Sequence, residues 1–85
     1  MCTYVTNTAA VAGSAYAGDD WMRVDRAVVY FDHPQDAPLD HALCIDVWGD
    51  DGRVAVELDA GSARLLAETI LATLADDEVR PLVER

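Results

Sequence analysis

With 85 residues, the chain has room for one domain, residues 1–85, built on one small core. Sixteen acidic residues against six basic ones give a formal charge of −10. Phosphate backbones and anionic membranes repel such a chain, so nucleic-acid and lipid-surface binding are set aside.

A domain this small buries only about 60% of the surface its unfolded chain exposes, and leans on a metal, disulfides or oligomerisation to hold together. The 52% apolar content argues for a folded globule, although most of it is Ala, Val and Leu. There is no apolar run of membrane-spanning length and no basic segment followed by an apolar one. The expected compartment is the cytoplasm, where Cys2 and Cys44 remain free thiols.

Residues Cys2 to about Val11 are rich in Thr and Val and predict a first strand, with Val5, Ala9 and Val11 as its apolar set. Gly13 to Asp20 is small and acidic and predicts a loop. Trp21 to Phe31 is dense in β-branched and aromatic residues and predicts the second strand. Pro34 and Pro38 bracket a connection, since proline has no N–H for a central ladder.

His41 to Trp48 is the third predicted strand, and Gly49-Asp50-Asp51-Gly52 a tight turn. Arg53 to Leu58 alternates cleanly as the fourth. From Asp59 the period changes: Ala63, Leu66, Ala67, Ile70 and Leu74 fall at helical spacing, behind Asp59 as N-cap. Asp76-Asp77 and Pro81 end or interrupt this helix. The expected fold is α+β: a four-stranded antiparallel meander with one C-terminal helix packed on one face.

Register turns the pattern into a candidate site. Centring the third turn between Asp50 and Asp51 pairs Val47 with Val54, Ile45 with Val56 and Leu43 with Leu58 on one face. Carried to the second strand, the same face holds Phe31, Val29 and Ala27. One step further along the ladder, His33 falls opposite His41. Cys2, Asp32, Asp40 and Asp59 are expected at the same end of the sheet. Parity nominally points Cys2 to the other face, unless the terminus bends across. The second face, with Tyr30, Cys44 and Trp48, is too apolar for a solvated surface and predicts a homodimer.

A thiolate with two imidazoles suits zinc, copper, nickel or iron. The metal-ligand set is His33, His41 and Cys2, with Asp32, Asp40 or Asp59 as fourth ligand or as the acceptor that orients an imidazole. Such a site has an open position for a small-molecule substrate. The His33-x7-His41 spacing matches no standard zinc signature. His33 before Pro34 also fits a plain turn residue, His41 a loop-bonding one, and Cys44 inert packing. Two alternatives stand beside the metal protein: a metal-free enzyme with Cys2 as nucleophile and a histidine base, and a non-catalytic dimeric module for a small ligand or partner.

Met1-Cys2-Thr3-Tyr4, Tyr30-Phe31-Asp32-His33-Pro34, His41 with Ile45-Asp46, and Val54 to Asp59 followed by Ser62-Ala63-Arg64 carry a family likeness. The chain resembles the short uncharacterised proteins grouped as domain of unknown function 6295, typical of high-GC bacteria, over nearly its whole length. The resemblance implies an accessory role beside specialised-metabolite pathways and assigns no role to Cys2, His33 or His41.

Overall fold

A computed structural model describes residues 4–33 and 41–84. Four strands, β1 (Val5–Tyr16), β2 (Trp21–Asp32), β3 (Ala42–Gly49) and β4 (Gly52–Leu58), form one antiparallel sheet in the order β1-β2-β3-β4. Helix α1 (Ala60–Ala75) follows the sheet, and a short α2 (Arg80–Val83) starts at the proline. The meander and helix are those expected from the sequence.

The turn between Asp50 and Asp51 sets the register as the apolar pattern requires: Val47 opposite Val54, Ile45 opposite Val56, Leu43 opposite Leu58. On the other side of β3, Ala27, Val29 and Phe31 stand opposite Val47, Ile45 and Leu43. These residues, with Val5 and Ala9 of β1, make up the Ile45 face. Arg26, Val28, Tyr30, Cys44, Asp46, Trp48 and Arg53 alternate with them and make up the Cys44 face.

Three features depart from expectation. The first strand is longer: residues 13–16 are paired strand rather than loop, with Gly13 opposite Val24 and Tyr16 opposite Trp21. Weak strand formers hide this segment, but a Tyr16–Trp21 edge contact at 5.5 Å closes the hairpin from the strand side. The turn itself is Ala17–Asp20, closed by the Ala17 N–H to the Asp20 carbonyl at 2.9 Å, with Gly18 at φ +94°.

Second, the register of β2 shifts between Val24 and Arg26, and that of β1 between Ala10 and Gly13. The extra residue in β2, Asp25, reverses its alternation, so Val24 pairs with Gly49 and shares the Ile45 face. Val24 and Met22 are buried there. Gly49 is required at this crossing, because a Cβ would collide with the Arg23 carbonyl.

Third, the helix does not bury its stripe. Asp59 caps α1 as expected, and Asp76 follows its last turn, but no residue of α1 is buried. The most buried strand positions, Ala42, Cys44, Asp32 and Asp46, alternate with the Ile45 face instead. Among the described residues, no helix is long and apolar enough to cross a membrane.

Candidate histidine site and the opposite face

Asp32 pairs with Ala42 at the last described rung between β2 and β3, so the two strands hand over to His33 and His41 side by side. Their rings lie 5.0 Å apart, centroid to centroid, at 28°. The juxtaposition inferred from apolar register is therefore present. His41 also stacks on Phe31 at 5.8 Å and 10°, so an aromatic floor from the Ile45 face supports the pair. Both histidines are exposed.

Tyr4 completes the group. Its N–H donates to the Phe31 carbonyl at 3.0 Å, although Val5 already stands opposite Phe31, so the chain leaves the regular ladder at this point. That departure carries the Tyr4 ring to within 6.2 Å of Phe31 and 5.4 Å of His41. The Tyr4 hydroxyl and His41 Nε2 share a hydrogen bond of 3.0 Å. Whether Cys2 bends across as well lies outside the described residues. Sequence reasoning passed over Tyr4, although it sits on the expected strand directly beside the histidine end.

The carboxylates expected around the pair have other partners. Asp32 is buried, and its Oδ1 accepts the His33 N–H at 2.7 Å, fixing the backbone where the chain leaves β2. Both Asp59 oxygens serve the helix cap: Oδ1 accepts the Ser62 N–H at 2.7 Å and Oδ2 the Ser62 hydroxyl at 3.1 Å. These bonds to Ser62 hold the Asp59 carboxyl below its ordinary range. Cys2 and Asp40 lie outside the described residues. Among the described residues, no three His, Cys, Asp or Glu side chains converge as a metal-holding group.

The Cys44 face holds a different constellation. Asp46 is buried and takes a hydrogen bond from the Tyr30 hydroxyl at 3.2 Å and one from the Arg53 guanidinium at 3.1 Å. Trp48 lies between Arg26 and Arg53, whose guanidinium carbons stand 5.2 and 5.7 Å from its ring centroid. Burial, reinforced by the Asp46 charge and its hydrogen bond, raises the Tyr30 phenol above its usual range. Burial also raises the Cys44 thiol, as do the charges of Glu57, Asp32 and Asp46, against a smaller opposing effect of Tyr30. The thiol donates to the Ala42 carbonyl at 3.7 Å. A protonated, enclosed sulfur is a poor nucleophile and a poor metal ligand, so Cys44 is packing.

The model of DUF6295, a family of unknown function, matches residues 1–82. The chain belongs to this family. The matched span takes in all four strands, α1, both histidines and Tyr4, so in this DUF6295 protein the aromatic–histidine group lies within the matched region. Neither a curated protein nor a solved structure matches the chain.

Proposed function

We propose that this DUF6295 protein is a small cytoplasmic protein that binds a transition metal through His33 and His41, with Cys2 as the third donor. The observation that supports this reading is the pair of exposed imidazoles 5.0 Å apart, one of them held by Tyr4. Two donors each about 2.1 Å from one ion stand roughly 3.4 Å apart, so the two rings would turn from their stacked arrangement to share an ion. In the tautomer whose Nε2–H donates to the Tyr4 oxygen, His41 has its Nδ1 lone pair available for the ion. A ligating imidazole commonly donates its other N–H in this way, which fixes tautomer and orientation.

Cys2 enters through its covalent distance from Tyr4: two residues, which span at most about 7 Å. Asp32 and Asp59 accept the His33 and Ser62 N–H groups, and Asp40, next to His41 in sequence, is the carboxylate this reading assigns to a fourth position. The bound ion would act as a Lewis acid or redox centre. A formal charge of −10 favours the approach of a cation.

Elemental analysis of protein purified without a metal-affinity tag tests the reading. Close to one equivalent of one metal, before or after reconstitution, is expected. Every metal below about a tenth of an equivalent after reconstitution rejects it, because a donor set of this kind binds zinc or copper tightly.

A further inference from the structure

Helix α1 has the composition of a buried helix and the exposure of a free one. Leu65, Leu66, Ile70, Leu71 and Leu74 are each between 42% and 67% exposed. Leu66, Ile70 and Leu74 recur every four residues and form one continuous side of the helix. On the Ile45 face, Val5 and Val56 are exposed as well.

The dimensions of the chain agree with an uncovered surface. A folded monomer of 9.2 kDa exposes about 4,900 Å² by the usual scaling with mass, whereas this chain exposes 6532 Å². Its radius of gyration is 14.6 Å, against about 12 Å for a compact domain of this length. The excess is roughly 1,600 Å² per chain. Buried on each of two copies, that area falls within the 2,000–5,000 Å² total typical of obligate homodimers.

Charge indicates which partner fits. Strand β1 and helix α1 together hold one acid, Glu68, and one base, Arg64; the other fifteen acids lie elsewhere in the chain. Two copies that each carry −10 repel wherever acids meet, and this near-neutral surface is where they can approach. A basic partner would gain nothing from docking there.

We propose that the chain forms a symmetric homodimer in which a second copy covers the apolar side of α1 and the open part of the Ile45 face. The interface is isologous, each helix stripe supplying to its partner the cover its own sheet does not give. It differs from a dimer through Tyr30, Cys44 and Trp48, where the Tyr30 hydroxyl, the Cys44 thiol and the Trp48 ring find partners within one chain. The inference is independent of any metal.

Sedimentation velocity and thermal melting of the untagged wild-type protein, over two decades of concentration, test it. Twice the chain mass is expected, with a Tm that rises with concentration. A single-chain mass throughout, with a constant Tm, overturns the proposal. Ile70→Glu is expected to abolish the dimer, and a folded Ile70→Glu dimer overturns the proposal. If that variant does not fold, Leu74→Ser reads the same side of the helix in a folded chain: a weaker dimer supports the proposal and an unchanged dimer contradicts it. Loss of the dimer in Trp48→Ala but not in Ile70→Glu assigns the interface to the Cys44 face and overturns it too.

Discussion

Two groups of reactive side chains share one sheet, and burial separates what each can do. At the strand ends, His33 and His41 stand exposed over Phe31 with Tyr4 against them. Across the sheet, Cys44 and Tyr30 are enclosed with Asp46, and their protons are held above the ordinary range. A thiol and a phenol are thus given to structure, whereas two imidazoles are left accessible.

Reactivity of Cys44 gives the largest expected contrast. Labelling by an alkylating reagent at neutral pH should be slower than for an unfolded cysteine by roughly 10³-fold, because it waits for the domain to open. Fast labelling of Cys44, identified by peptide mass, would remove the distinction between the faces. The raised thiol also sets a pH dependence. The folded chain holds this proton more tightly than the unfolded one, so its contribution to stability is complete below the ordinary thiol range. It declines as pH climbs through that range. Thermal melts of Cys44→Ala should show a flatter decline above neutrality than wild type.

Backbone and network follow. Gly49→Ala should cost about 3 kcal/mol, since the new methyl meets the Arg23 carbonyl rather than a side chain that can turn away. Asp46→Ala should cost about 2 kcal/mol by stripping Tyr30 and Arg53 of their shared acceptor. Denaturant unfolding measures both, and a loss below about 0.5 kcal/mol in either places the support of the sheet elsewhere.

Much of this frame was legible in the chain. The three apolar pairs around Asp50-Asp51 admit one register, and the same register carried one step further sets the histidines side by side. What escaped has physical causes. The bulge at Asp25 leaves no local mark, because an extra residue is revealed only by the strands on either side. Gly13, Ser14 and Ala15 are small and strand-poor, and residues 13–16 pair because Trp21, Met22 and Val24 offer them a partner. The backbone partners of Asp32 and Asp59 left no sign in the sequence, where each counts only as a charge near the histidines. Their nearest donors are backbone N–H groups. Exposure of α1 was invisible to periodicity, which reports an apolar side but not what covers it.

The smallest effect on folding is expected at Tyr4. Tyr4→Phe removes one exposed hydrogen bond and should change stability by less than about 0.5 kcal/mol. Metal affinity should nevertheless fall by about tenfold or more, because His41 loses the group that fixes its ring. Equal loss in stability and affinity would make Tyr4 a packing residue only.

Cobalt(II) titration followed by visible absorption, on wild type and on His33→Ala/His41→Ala, addresses the histidine pair most directly. Both side chains are exposed, so the double variant should stay folded and melt close to wild type. A metal held by the pair requires wild-type absorption to saturate near one equivalent and the double variant to show none. Identical titrations of the two proteins, or no cobalt signal in wild type, contradict it.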